Sequence, residues 1–149
     1  MPIGNVCVRD VIVAHRTTTV EEAAHIMRQQ HVGDLVVVEA DHGRRIPAGI
    51  VTDRDIVISV VATKLDPKVF TLGDLLTRNL VTAREDEGVF ECIQHMRRKG
   101  VRRMPIVDQE GSLVGIVSVD DLVQLLGEEL GELGRLISRE QEKEVQTRR

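Results

Sequence analysis

A hydroxyl and a carboxylate recur at the same spacing in two places, and these are the side chains best suited to bind a ligand. Thr52 is followed three positions later by Asp55, and Ser118 is followed by Asp121. Each pair comes directly after Gly-Ile-Val, an apolar run typical of a strand. At the start of a helix, the backbone N–H groups and the positive end of the dipole attract a phosphate. A carboxylate one turn later can accept two hydrogen bonds from the vicinal hydroxyls of a ribose.

The same spacing also has a purely structural interpretation. Ser or Thr followed three residues later by an acidic residue resembles a capping box, in which the two side chains satisfy N–H groups at the start of a helix. A glycine precedes each pair, at Gly49 and Gly115, and it favours the ligand interpretation because it lets the backbone approach a ligand closely. The residues alone leave both interpretations open.

The two motifs belong to an internal repeat. Residues 49–56 return as residues 115–122, which lie 66 positions later, and residues 27–32 match residues 96–101, which lie 69 positions later. The difference of three falls in the loop 42–47, which is longer than its counterpart in the second copy. A repeat of this kind predicts two related structural units. Two related units imply two related clefts.

Each copy predicts the same order of elements: strand, helix, strand, strand and helix. A short strand-like lead-in, 79–82, and a short helix, 72–77, are expected in the connector between the copies. Neither unit is expected to be stable alone, because its hairpin has one face that its own helices do not cover. Packing the two sheets together buries that face. The remaining predicted elements are helices 20–30, 52–61, 87–99 and from 118 onward, strands 34–39, 46–51, 103–107 and 113–117, and turns 41–43 and 108–111.

Composition argues against several classes of protein. The chain has 149 residues and a net charge of −4, so it lacks the excess of positive charge that is typical of nucleic-acid-binding proteins. With two Phe and no Trp or Tyr, it also lacks the aromatic platforms on which bases stack. Its longest apolar stretch, 56–62, is far short of the roughly 20 residues of a membrane span. The first five residues do not resemble a signal peptide. We therefore expect a cytoplasmic protein with neither a membrane span nor a nucleic-acid partner.

Signatures of catalysis and of metal binding are missing from the sequence. The five histidines show no ligand spacing, and Cys7 and Cys92 are too few for a disulfide framework, so reduced thiols are expected. A nucleophile elbow and a phosphate-binding loop are also missing. We therefore predict no catalytic residue, no metal and no enzyme, although a slow nucleotide hydrolase remains an alternative.

The two copies resemble a tandem pair of CBS (cystathionine-β-synthase) domains, known as a Bateman module. Residues 49–55, residues 115–121 and the Arg-Arg-Met-Pro-Ile-Val-Asp run at 102–108 carry the resemblance, which covers roughly residues 6–126. It implies an α+β fold of two β-α-β-β-α repeats, packed through their sheets as a pseudo-twofold pair. The expected boundaries are a first repeat 6–63, a connector 64–80, a second repeat with an extended helix 81–137, and a polar tail 138–149.

The resemblance also implies a function. In this family the motif binds adenosine-containing ligands such as AMP, ADP, ATP or S-adenosylmethionine, which act as regulatory ligands. Thr52 and Ser118 would contact phosphate or ribose, and Asp55 and Asp121 would hold the ribose hydroxyls. The pair takes up nearly the whole chain, so we expect a free-standing sensor that signals to a partner protein in trans. The alternative is a protein-interaction or dimerisation module with degenerate pockets, in which both motifs serve only as helix caps.

Charged residues near the motifs make the two sites unequal. Arg54 lies between the motif residues of the first site, where it could reach a phosphate, whereas the second site has Asp120 at that position. Arg102 and Arg103 could restore positive charge to the second site, or they could be a solvated surface. Pro105 is a further candidate for ligand binding. Anionic nucleotides should prefer one site, and the sequence does not say which.

The last helix carries an apolar stripe with two interpretations. Its members are spaced 4, 4, 3 and 4 residues apart, which is close to a coiled-coil pattern. The helix could fold back on its own domain, or it could complete a homodimer, which the resemblance implies to be disc-like. Residues 138–149 are expected to fray. The stripe consists of Leu122, Leu126, Leu130, Leu133 and Ile137.

Overall fold

The computed structural model describes residues 1–76 and 79–148, which form two three-stranded sheets flanked by helices. Thr77, the predicted end of the connector helix, and Arg149 lie outside the described residues. The elements are β1 (Val13–His15), α1 (Val20–Gln30), β2 (Asp34–Asp41), β3 (Arg44–Thr52), α2 (Asp53–Ile56), α3 (Leu72–Leu75), β4 (Ala83–Arg84), α4 (Val89–Lys99), β5 (Arg103–Val107), β6 (Leu113–Ser118) and α5 (Val119–Thr147).

The two sheets have the same topology. The first has the order β1-β2-β3 and the second β4-β5-β6, each with one parallel pair followed by an antiparallel hairpin. A register shift falls between Val37 and Val38 in the first hairpin, and at the equivalent position between Ile106 and Val107 in the second. The predicted α+β fold of two repeats is therefore confirmed.

Local backbone chemistry accounts for the small differences from the predicted elements. The first hairpin is longer than predicted because its turn needs only His42 and Gly43, both with positive φ (50° and 81°), so that Asp41 pairs with Arg44. Such a two-residue turn matches the twist of the strands that it joins. The helix after β3 is α-helical only over α2 and continues as a π-helical turn, Val57–Val61.

Three clusters of apolar side chains form the core. One lies under α1 in the first repeat and one under α4 in the second. The third lies between the two sheets and contains Val36, Val38 and Leu113, which is the burial predicted for paired repeats. Burial of this apolar surface is the main term that holds the repeats together.

Each repeat is completed by the segment that precedes the other repeat. Ile3 is fully buried in the second core, and its N–H donates to the carbonyl of Glu87 (2.7 Å). Leu72, in α3, is fully buried in the first core, and its N–H donates to the carbonyl of Thr18 (2.8 Å). These two segments, which we call the lead segments (residues 1–8 and 70–76), therefore tie the repeats together reciprocally.

Helix α5 is longer than either sequence interpretation required. Its first turn buries Leu122, whereas Leu130, Leu133 and Ile137 are exposed, so the stripe does not fold back on this domain. The predicted frayed tail is instead helical through Thr147. Ion pairs one turn apart stabilise such a polar helix, and here they are Arg135–Glu132, Arg139–Glu142 and Arg148–Glu144. Among the described residues, no helix combines the length and the apolar character that a membrane crossing needs.

Candidate ligand-binding clefts

Both motifs form capping boxes. Asp55 N–H donates to Thr52 Oγ1 (3.1 Å), and Thr52 N–H donates to Asp55 Oδ2 (2.9 Å). Asp121 N–H donates to Ser118 Oγ (3.1 Å), and Ser118 N–H donates to Asp121 Oδ2 (2.8 Å). The capping boxes that the structural interpretation predicts are therefore present. Within the described part of the chain, each carboxylate makes these bonds through Oδ2, so Oδ1 can still accept a hydrogen bond from a ligand.

The motif glycines make room for the lead segments. A Cβ at Gly115 would lie 2.5 Å from Cys7 Sγ and 2.8 Å from the carbonyl oxygen of Val8. A Cβ at Gly49 would meet the side chain of Leu76 in the same way. On the side where a Cβ would stand, the group that approaches each glycine therefore belongs to the protein itself.

The first cleft has a volume of about 490 Å³ and lies where the end of β3 meets the start of β5. It brings Thr52 and Asp55 of the first repeat together with Arg102 and Arg103 of the second. Its other walls come from β3, the π-helical turn, the lead segment 70–76, the chain before β4 and the connection between α4 and β5. They are Gly49, Ile50, Ser59, Leu75, Leu76, Asn79, Leu80, Val81 and Val101.

The second cleft has a volume of about 270 Å³ and is the counterpart of the first. Ser118 and Asp121 line it together with Asp34, at the start of β2, and Arg103, which faces both clefts. The remaining lining residues are Val8, Asp10, Val11, Ile12, Val32, Val36, Ile116 and Asp120. Each cleft is therefore built from both repeats.

Two ion pairs cross the boundary between the clefts. Arg103 Nε lies 3.3 Å from Asp34 Oδ2, and these two residues occupy equivalent positions in the two repeats. Arg102 Nη2 lies 3.9 Å from Asp120 Oδ1. The Arg103–Asp34 pair is partly buried, whereas the Arg102–Asp120 pair is largely exposed and contributes little to stability.

Other sequence-predicted residues lie elsewhere. Arg54 is exposed on α2 and is not among the described residues that line either cleft. Pro105 is buried within β5, opposite Ile116. Arg102 lines the first cleft, whereas the sequence analysis considered it, beside a solvated surface, as a source of positive charge for the second site.

Sequence reasoning missed most of the cleft walls. Asp10 and Asp34 were not predicted, although the offset of 69 residues pairs Asp34 with Arg103 and could have identified it. Ser59 reaches the first cleft from the π-helical turn, a local geometry that the sequence pattern did not indicate.

The thiols and the metal-binding side chains do not assemble a second kind of site. Burial raises the pKa of Cys92 to about 11. Burial also raises the pKa of Cys7, and the positive charge of Arg9 opposes this shift only in part. Both thiols are therefore protonated and poorly nucleophilic at neutral pH. Across residues 1–76 and 79–148, no group of three potential metal ligands occurs.

Comparison with known proteins gives a consistent family assignment. Residues 3–62 and residues 72–128 each match the model of the CBS domain. A protein of Methanopyrus kandleri is 40% identical over 124 residues, which are 83% of this chain and 61% of that protein. The L-aspartate semialdehyde sulfurtransferase of Methanocaldococcus jannaschii is 33% identical over 116 residues, 78% of this chain and 21% of the enzyme. The chain thus spans less than two thirds of either relative.

A solved structure extends the comparison to the fold. A CBS domain pair crystallised with 5′-methylthioadenosine and S-adenosylmethionine superposes with a TM-score of 0.73. It is 29% identical to this chain, and the superposition covers 87% of this chain and 98% of that one.

Proposed function

Since this chain belongs to the CBS domain family, we propose that it is a regulatory protein whose two clefts bind adenosine-containing ligands. The bound protein then signals to a partner protein in trans. One observation carries the proposal: each cleft takes its walls from both repeats. A ligand in either cleft contacts both repeats at once. A ligand that binds one arrangement of the two repeats more tightly than the others therefore shifts the protein toward that arrangement.

The chemistry of the first cleft suits an adenosine ligand that bears phosphate. Asp55 Oδ1 is available to the ribose hydroxyls, and Arg102 and Arg103 can donate charge-assisted hydrogen bonds to phosphate oxygens. The described residues that line the cleft include no aromatic side chain, so the purine would lie between aliphatic walls such as Ile50 and Val101. The related CBS pair that holds S-adenosylmethionine and 5′-methylthioadenosine supports this class of ligand.

The second candidate function is a protein-interaction module with no nucleotide. It is favoured by the capping boxes, since Asp55 and Asp121 already have a structural role that explains their presence. The larger relatives that are named as enzymes are matched over only part of their length, so their activities are not carried over to this chain.

A thermal-unfolding titration against AMP, ADP, ATP and S-adenosylmethionine separates the two candidates. A ligand that binds only the folded protein, at 100 times its Kd, adds about 2.7 kcal/mol to the free energy of unfolding. We expect a raised midpoint with at least one ligand, and we expect the double variant Asp55→Ala/Asp121→Ala to lose that shift. If no ligand changes the unfolding midpoint and the double variant is merely less stable, the interaction module is favoured.

The matched control is Glu22→Ala. Glu22 completes a capping box with Thr19 at the start of α1, so this variant loses the same type of cap. Glu22 is absent from the described linings of the two clefts. It should lower stability, as Asp55→Ala does, yet leave the ligand-induced shift unchanged. ATP hydrolysis that disappears in the aspartate variants would instead indicate an enzyme.

Association of two copies is the assembly that the exposed stripe on α5 favours. Leu130, Leu133 and Ile137 are between 56% and 69% exposed, and they continue a 3-4 spacing that starts at Val123 and Leu126. The same stripe on a second copy is its natural complement, because coiled-coil seams are self-complementary. We therefore propose a homodimer in which α5 takes part.

A further inference from the structure

The two clefts differ in charge although their motifs are equivalent. Among the described residues, the first cleft is lined by two arginines, Arg102 and Arg103, and by one carboxylate, Asp55. The second cleft is lined by one arginine and by four carboxylates, Asp10, Asp34, Asp120 and Asp121. The repeat therefore preserves the motif, whereas the charge of the residues that line the cleft changes.

Two ion pairs among the described residues join side chains that line the two clefts. In the Arg102–Asp120 pair, the arginine lines the first cleft and the carboxylate lines the second. In the Arg103–Asp34 pair, the carboxylate again lines the second cleft, while the arginine is shared. Both arginines of these pairs thus line the first cleft, and both carboxylates line the second.

We propose that the two clefts select different adenosine ligands: the first takes a ligand that carries phosphate, and the second excludes phosphate and takes a phosphate-free adenosine derivative. This inference rests on the proposed function, since it assumes that the clefts bind adenosine ligands at all. Like charges placed together disfavour the wrong ligand, and this repulsion is a source of specificity.

The apolar walls explain how the second cleft can still hold a nucleoside. Val8, Val11, Ile12 and Ile116 supply aliphatic surface for a purine, and Asp121 Oδ1 is available for the ribose hydroxyls. A 5′ substituent such as a thioether would bring no negative charge to Asp10, Asp34 or Asp120. A triphosphate at the same position would instead bring its negative charges close to these three carboxylates, which repel them.

Isothermal titration calorimetry of the whole chain with ATP and with 5′-methylthioadenosine tests the proposal. Wild-type protein should bind one ATP per chain. Arg102→Gln should weaken ATP binding about five- to tenfold, the size expected for one charge-assisted hydrogen bond at an exposed arginine. The same variant should change the affinity for 5′-methylthioadenosine by less than twofold. Arg45→Gln is the matched control, because Arg45 is an exposed arginine of β3 that neither described lining includes.

A gain-of-binding variant gives the converse test. Asp34→Asn/Asp120→Asn removes two of the four carboxylates, so a second ATP should enter and the stoichiometry should rise from one toward two. Two equal ATP sites in the wild type, or equal losses of both ligands in Arg102→Gln, would overturn the inference while leaving adenosine binding intact. If the wild type binds neither ligand, the proposed function fails and the inference fails with it.

Discussion

Replacing Gly115 by alanine tests the idea that the motif glycines make room for the lead segments. The new Cβ would lie 2.5 Å from Cys7 Sγ and 2.8 Å from the carbonyl oxygen of Val8. The second contact is with backbone, which cannot rotate away, and Val8 is anchored to Ile116 by two hydrogen bonds of 2.9 Å. The lead segment must therefore shift away from β6.

The expected loss of stability follows from those contacts. Overpacking at a site of this kind costs about 1–3 kcal/mol, and weakening the two backbone hydrogen bonds costs about 1 kcal/mol each. Against this, replacing glycine within a strand returns about 0.5–1 kcal/mol of conformational entropy. We therefore expect Gly115→Ala to lower the free energy of unfolding by about 2–4 kcal/mol, a large part of the stability of a typical domain.

Two other glycines provide controls, because the same reasoning predicts a smaller loss of stability at one of them and a gain at the other. A Cβ at Gly49 would meet only the flexible side chain of Leu76, so Gly49→Ala should cost less than Gly115→Ala. A Cβ at Gly127, within α5, would meet nothing within 4 Å, so Gly127→Ala should stabilise the protein by about 0.5–1 kcal/mol.

Urea unfolding followed by far-ultraviolet circular dichroism measures the series, since the chain has no Trp or Tyr to report tertiary structure. Equal stability of Gly115→Ala and the wild type would refute the role assigned to this glycine. So would a Gly127→Ala variant that loses as much stability as Gly115→Ala.

Four further predictions address other parts of the molecule. Leu72→Ala should lower the free energy of unfolding by about 2–5 kcal/mol in urea, because this connector residue is fully buried in the first core. His31→Gly should raise it by a few tenths to about 1 kcal/mol, since His31 ends α1 with a φ of 55°, where the second repeat has a glycine. Burial raises the pKa of Cys92 to about 11 from 9.0, so the folded state holds this proton more tightly than the unfolded chain. Unfolding free energy should therefore be unaffected by this group below pH 9 and fall as the pH rises toward 11, with a shallower fall in Cys92→Ala. Leu130→Lys should shift a dimer toward monomer in sedimentation velocity, and an unchanged sedimentation coefficient would contradict a role of α5 in assembly.

Much of the fold could be predicted because its signals are local. Strand β5 was predicted with its observed bounds, and α1 and α5 begin directly after the Thr and Ser caps that mark helix starts. Alternation, capping and turn chemistry act over a few residues, so a single sequence reveals them. The repeat then extended each local prediction to the second copy. Together these patterns predicted the order of elements in each repeat and the two equivalent motifs, and the resemblance to paired CBS domains implied the α+β fold.

The composition of each cleft was decided only by tertiary structure. Arg54 is adjacent to Asp55 in sequence yet lies outside the described cleft walls, whereas Arg102 lies beside the first motif although almost 50 positions separate them. The lead segments dock on the opposite repeats for the same reason. Which residues meet across two packed sheets depends on the long-range burial of apolar surface around the pseudo-twofold axis, and spacing along the chain does not encode that geometry.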